Sequence, residues 1–211
     1  MPQNPLTLFV DHQFTSPYAL SVYVTLREKG IAFAIERLDL GTQQNQQAGY
    51  RQQSLTARVP TLVHDEFTLS ESSAISEYLE DVFAPPTYAP VYPQDAQLRA
   101  RARQVQAWLR SDLIPIRNER GTDTVFIQAT DKPLSASALE AADKLFRVAD
   151  QLLPARANHL FGQWCVADTD LAMMLNRLVM NGDAVPERLK TYAAQQWQRP
   201  SVQQWVLQQR T

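Results

Sequence analysis

The chain has 211 residues, 45% of them hydrophobic and 20% charged, with a formal net charge of −2. That length suits one large domain or two small ones around a real core, and the charge balance gives no electrostatic case for nucleic acid or a membrane surface. No apolar run nears the roughly 20 residues of a membrane span, "MPQNPLTLFV" lacks the pattern of a signal peptide, and the single Cys165 excludes an internal disulfide, so a cytoplasmic protein is expected.

In chain order, the apolar run "LTLFV" at residues 6–10 predicts a strand. Thr15 and Ser16 then precede Pro17, which suits a first helical turn. Ala19, Val22, Tyr23 and Leu26 repeat at helical spacing up to Gly30, placed as a C-terminal cap. "IAFAI" alternates as a strand, and a glutamine-rich loop from Gly41 to Ala57 leads to the strands "VPTLV" and "FTL" around "HDE". "SESSAISEYLEDVF" reads as a second helix, with Ala74, Ile75, Tyr78, Leu79 and Val82 on one side. An α/β unit over residues 1–84 is thus expected. "APPTYAPVYP" then sets four of the thirteen prolines between Pro85 and Pro93, an extended linker over residues 85–95.

From residue 96 to 211 the pattern is helical. Leu98, Ala102, Val105, Leu109, Leu113 and Ile116 trace one long helix, bent near Pro115. The arginines Arg99, Arg101, Arg103 and Arg110 fit its solvated face. Residues 121–134 read as loop. Ser135 caps a helix carrying Leu139, Ala142, Phe146, Ala149 and Leu153. "ADTDLAMMLNRLVMNG" is another, ended by Gly182, with shorter pieces near Leu189 and Trp205.

This plan resembles the cytosolic glutathione S-transferases. "SPY" after the first strand resembles the hydroxyl-bearing turn of their serine-type classes, and "ARVPTL" the segment with a cis proline before the third strand. "LSESSAI" is similar to the Glu-Ser step opening their third helix, and "FGQWCVADTDLA" to the entry into a buried helix of the second domain. Through "SPY", "EYLED.FAPPT", "RARARQ.QAWLRSDL.PIR" and "CVADTDLA" the chain most resembles the bacterial YfcF type. The resemblance implies a thioredoxin-like glutathione-binding domain followed by an all-helical domain that contributes an electrophile pocket.

Only a thiolate attacks well, and a helix N-terminus with an oriented hydroxyl favours an anion. Lowering a thiol pKa by two units needs about 2.7 kcal/mol, which those two groups can supply. Ser16 is therefore the candidate activating group, and the family's catalytic serine falls there too. Its rival reading is a plain helix cap. Thr15 offers the same chemistry one residue earlier; Tyr18 and His12 are weaker rivals.

Glu71 can pair with the ammonium of glutathione, while Ser72 holds the adjoining carboxylate at a helix start. "SESS" also reads as a simple cap. Val59 offers its backbone to the cysteinyl amide. The resemblance implies a cis Pro60 and assigns the glycine carboxylate to Arg58, with Arg51 and Gln53 in reserve. Asp168 and Cys165 read as structural. The electrophile pocket is expected between the domains, with Trp108, Asp112 and Arg117 as possible contributors.

The expected activity is glutathione conjugation to small hydrophobic electrophiles, glutathione-dependent peroxide reduction, or both, in a homodimer and without a metal. No cysteine near Ser16 favours thiol–disulfide exchange, and no ligand cluster or phosphate loop favours a metal or nucleotide enzyme. A non-catalytic binding or regulatory module on the same scaffold is the alternative.

Overall fold

The computed structural model of the protein describes residues 6–210; the ends of the expected domain spans, residues 1–5 and 211, lie outside the described residues. Chain contacts divide it into two compact units. One holds the residues up to Val91 together with those from Gln204 onward, and the other runs from Tyr92 to Gln203.

In the first unit, β1 (Leu6–Asp11) pairs parallel to β2 (Phe33–Leu38) and antiparallel to β3 (Thr61–His64), which pairs antiparallel to β4 (Phe67–Ser70). The sheet order is β2-β1-β3-β4. Helix α1 (Pro17–Glu28) crosses between β1 and β2 and buries every residue from Ala19 to Leu26. The sequence shows one apolar stripe, but a helix covered all round can bury the remainder as well. Gly30, at φ +68°, ends it as expected.

Two expectations are corrected here. The strand after α1 starts at Phe33 rather than Ile31. The glutamine-rich stretch is not all loop: a 3₁₀ turn (Gln44–Gln46) and α2 (Ala48–Gln53) lie within it, α2 anchored by the single buried side chain of Tyr50.

α3 (Ser72–Val82) also differs in its buried face, which comprises Ser72, Ile75, Ser76, Leu79 and Glu80, while Ala74 and Val82 are exposed. The reason is a polar seam with α1. Ser76 Oγ lies 3.2 Å from Thr25 Oγ1, and Lys29 Nζ donates to Glu80 Oε2 at 2.6 Å, both side chains sealed from solvent. Buried charges persist only when paired and hydrogen-bonded. Lys29 also donates to the carbonyl of Ala89, and Glu80 accepts from the N–H of Val91, so the pair fastens the start of the proline-rich segment. The peptides before Pro60 and Pro86 are cis.

The second unit is helical: α4 (Ala96–Ser111), α5 (Ile114–Glu119), α6 (Asp123–Phe126), α7 (Ala136–Leu152), α8 (Val166–Val179), α9 (Glu187–Trp197) and the start of α10 (Pro200–Val206). Asp95 caps α4 and Ser135 caps α7 through their side chains. The expected bend at Pro115 is a full break. Leu113 takes φ +61°, α5 restarts at Ile114, and Pro115 sits in its first turn, where a missing N–H costs nothing. The stretch read as loop at 121–134 holds the short α6. Leu98 and Leu139 lie outside the buried faces of their helices.

A further difference concerns the end of the chain. Residues from Gln204 on belong with the first unit, although the sequence groups them with the helices. Trp205 is fully buried there, its ring edge-on to Phe14 at 5.0 Å and near Tyr23 at 5.3 Å. No apolar pattern within a helix reveals which unit its face will cover.

Candidate functional site

Strand register assembles the site. Phe9 of β1 lies opposite Thr61 of β3, and Thr61 lies opposite Ser70 of β4. The turn after β1, the segment before β3 and the turn after β4 therefore emerge at one end of the sheet. They carry Ser16, Arg58 and Val59, and Glu71 and Ser72 respectively. Neighbouring strands stand about 4.8 Å apart, so β1 to β4 spans about 10 Å, the length of an extended tripeptide.

Ser16 is the N-cap of α1, with extended backbone (φ −67°, ψ 115°), and its Oγ accepts from the N–H of Ala19 at 3.2 Å. That bond uses a lone pair and leaves the hydroxyl proton for another acceptor. The cap and the donor are thus compatible roles. Thr15 differs: its Oγ1 donates to Asp11 Oδ2 at 2.9 Å, and its N–H donates to the same oxygen at 2.7 Å. Asp11 Oδ1 accepts from the N–H of Ser16 at 2.9 Å. One buried carboxylate thus accepts three bonds from the turn, and it already takes the Thr15 hydroxyl proton while leaving that of Ser16. Sequence reasoning missed Asp11; its signal is an acidic residue closing the apolar run "LTLFV" four positions before a hydroxyl pair. His12, in the turn after β1, lies 3.8 Å from Asp39, which follows β2.

Before β3, the carbonyl of Arg58 accepts from Tyr50 Oη at 2.7 Å and from Ser54 and Thr61 hydroxyls at 3.3 and 3.1 Å. Asn45 Nδ2 donates to the carbonyl of Ala57. α2 and the preceding turn therefore buttress the segment that presents Arg58 and Val59. Burial pushes the Tyr50 hydroxyl above its usual range, against the pull of its Thr61 and Ser54 partners. The Arg58 side chain is exposed, with no partner among the described residues, whereas Arg51 and Gln53 lie on the exposed face of α2.

Glu71 is the N-cap of α3 at φ +76°, ψ 113°, a region sparsely populated for any residue but glycine, and its side chain makes no cap bond. The reading of "SESS" as a self-capping sequence fails on that geometry. Glu71 is exposed and stands beside the buried Ser72, the first residue of α3. An ammonium beside Glu71 and a carboxylate at the helix start fit the arrangement.

In the helical unit, Asp168 accepts from the N–H groups of Leu160 and Cys165, at 2.8 and 2.9 Å, and from Tyr192 Oη at 2.8 Å. It is a structural capping residue. Burial drives the Cys165 thiol far above its usual range, with the Asp168 charge adding to the effect, so this cysteine is inert. Asp112 accepts from Trp108 Nε1, Leu113 N–H and Lys144 Nζ, while Arg117 donates to the carbonyls of Leu109 and Asp112. Both spend their polar groups on the α4–α5 break. A groove of about 310 Å³ in this unit is lined by Trp108, Val105 and Val148.

A four-stranded sheet with its N-terminal helix caps gathered at one end, followed by an all-helical unit, defines a thioredoxin-like plus helical architecture. Residues 15–82 match the family described as glutathione S-transferase, N-terminal domain, and residues 95–209 match glutathione S-transferase, C-terminal domain. The chain belongs to the glutathione S-transferase family.

It is 46% identical to a glutathione transferase homologue from Burkholderia GL BGR1 solved with bound glutathione, over 96% of both chains, with a TM-score of 0.78. It is 34% identical to human glutathione S-transferase theta-1 over 51% of this chain and 43% of that protein. It is 30% identical to rat maleylacetoacetate isomerase over 74% of this chain and 68% of that one. The match thus spans less than half the length of the human theta relative. Among the described residues no helix is long and apolar enough to cross a membrane, and no group of three or more His, Cys, Asp or Glu could hold a metal.

Proposed function

We propose that the protein is a glutathione S-transferase of the serine type and YfcF kind, in which Ser16 activates the glutathione thiol. The observation that carries this is the Ser16 hydroxyl at the start of α1, which accepts a helix N–H yet keeps its own proton to donate. The thiol proton leaves to solvent, and the thiolate is held by the Ser16 O–H and the helix N-terminus. Sulfur then attacks a small hydrophobic electrophile to form a thioether, or a peroxide oxygen, breaking the O–O bond to release an alcohol. The latter attack leaves a glutathione sulfenic acid that a second glutathione converts to the disulfide and water.

Glu71 binds the γ-glutamyl ammonium, Ser72 its carboxylate, the Val59 backbone the cysteinyl amide and Arg58 the glycine carboxylate. The bound glutathione of the Burkholderia relative supports the ligand. We assign residues 1–84 to the glutathione-binding domain, residues 85–95 to the linker and residues 96–211 to the domain that receives the electrophile, save that the residues from Gln204 on group with the first unit. The protein acts in the cytoplasm as a homodimer, symmetric dimers being the commonest oligomers; a monomer mass in light scattering at micromolar concentration overturns the dimer.

The decisive experiment is an ultraviolet titration of bound glutathione, repeated with electrophiles and peroxides. A thiol pKa well below the ordinary value of about 8.5, with turnover, supports the reading. Binding without a lowered pKa makes the protein a non-catalytic module.

A further inference from the structure

The turn that carries Ser16 is built on a strained residue. Phe14, just before Thr15, has φ +51°, uncommon for a bulky side chain, and is buried. Such a conformation persists only where its surroundings over-determine it. Part of that surrounding is Asp11, whose carbonyl accepts from the Phe14 N–H at 3.0 Å and whose carboxylate holds Thr15 and Ser16. The remainder comes from residues far away in sequence. Trp205 stands edge-on against the Phe14 ring, and Arg210 Nη2 donates to the Phe14 carbonyl at 3.4 Å.

We propose that Arg210 and Trp205 form a clasp on the Ser16 turn, with Arg210 a positioning residue that balances the Asp11 charge and so sets the acidity of the bound thiol. The proposal rests on the reading of Ser16 as the activating hydroxyl.

Asp11 is buried, and its negative charge lies directly behind two amides that aim the Ser16 turn. Left alone, a carboxylate there repels a thiolate forming nearby and works against the helix N-terminus. Burial pushes the Arg210 guanidinium below the usual arginine range, and the Asp11 carboxylate pulls it back up, so the two charges feel each other. Arginine stays charged throughout the working pH range, which makes it a constant counterweight. Its Nη1 is fixed by the carbonyls of Val206 and Gln208, at 2.6 and 3.1 Å, so the group is held in place by its own backbone. The other charged groups around the turn are Arg37, 4.8 Å over the Phe14 ring, and the His12–Asp39 pair.

The test compares wild type, Arg210→Met, which keeps the apolar stem, and Arg210→Lys, which restores the charge. Amide hydrogen exchange at Thr15 and Ser16 is read without glutathione, and the thiolate absorbance of bound glutathione is titrated separately. Arg210→Met is expected to speed exchange at both amides about tenfold and to raise the bound thiol pKa by about 0.5–1 unit. Arg210→Lys is expected to recover most of the thiol shift, while glutathione affinity at low pH stays within about threefold of wild type in both. Unchanged exchange in Arg210→Met overturns the clasp. Faster exchange with an unmoved thiol pKa, in a wild type that does lower its thiol, reduces Arg210 to a structural role and also overturns it. A wild type with an ordinary thiol pKa sinks the Ser16 reading instead, and exchange alone then decides whether the clasp stands.

Discussion

Two helix starts meet at the site end of the sheet, and they are built in opposite ways. The start of α1 is finished by the protein: Ser16 caps it, Asp11 ties down the two residues before Pro17, and Trp205 and Arg210 press on Phe14. The start of α3 is left unfinished, with Glu71 in a strained backbone conformation, its carboxylate exposed and making no cap bond. The first arrangement suits a group that must be aimed before the ligand arrives. The second suits a surface that a ligand completes, trading backbone strain and an unused cap position for binding.

The largest effect on folding expected from that contrast is at Asp11. Asp11→Ala strands two amides and a hydroxyl in a half-buried turn and should cost about 2 kcal/mol in chemical denaturation. A loss under 1 kcal/mol would mean that the α1 start is held by the tail alone.

Ser16→Ala comes next. It should lower kcat/KM at neutral pH by about 10²-fold or less, since the helix end still favours the thiolate. The sign follows from the thiol. Removing its donor raises the bound pKa, so the acid limb of the pH–rate profile moves to higher pH, and the two proteins converge in alkali. Affinity at low pH, where the thiol is protonated in both, should hardly change. Thr15→Val should leave the profile in place, because that hydroxyl already serves Asp11; a shifted limb in Thr15→Val with none in Ser16→Ala reverses the assignment.

Glu71 gives a smaller effect with a different signature. Glu71→Gln should weaken glutathione binding about 30-fold by calorimetry, roughly 2 kcal/mol, with little change in kcat, because the ammonium is remote from the reacting sulfur. Glu71→Gly sharpens the point: it should raise folding stability by about 1 kcal/mol while losing the same affinity, since glycine accepts φ +76° without strain. Equal stability of Glu71→Gly and wild type would remove the strain argument.

How much of this was legible from residues alone depends on the distance over which each part is built. The Ser16 cap, Pro17 in the first turn and Gly30 at the far end are local, and local rules place them within a residue. The hydroxyl pair is ambiguous in sequence because Thr15 and Ser16 are chemically alike; only the position of Asp11 separates them. The buried face of α3 escapes the sequence pattern because Ser76 and Glu80 are polar, and their partners Thr25 and Lys29 lie 51 residues earlier in each case. α2 has one apolar anchor, Tyr50, too little for a periodic signal. The break at Leu113 turns on a left-handed backbone that no glycine announces. The Trp205 and Arg210 contacts join opposite ends of the chain, beyond the reach of any window.

That last feature bears on how the protein is made. Val91 and Gln204 are 113 positions apart, yet both belong to one compact unit. During synthesis the sheet and α1 emerge early, with Phe14 and Tyr23 still lacking the indole that covers them. The contacts of Trp205 and Arg210 form only after the whole helical unit has been translated, so a ribosome that stalls late releases a product with every site residue present and the Ser16 turn held by Asp11 alone. Quality control that senses exposed aromatic surface has a ready mark by which to tell such a product from a finished one.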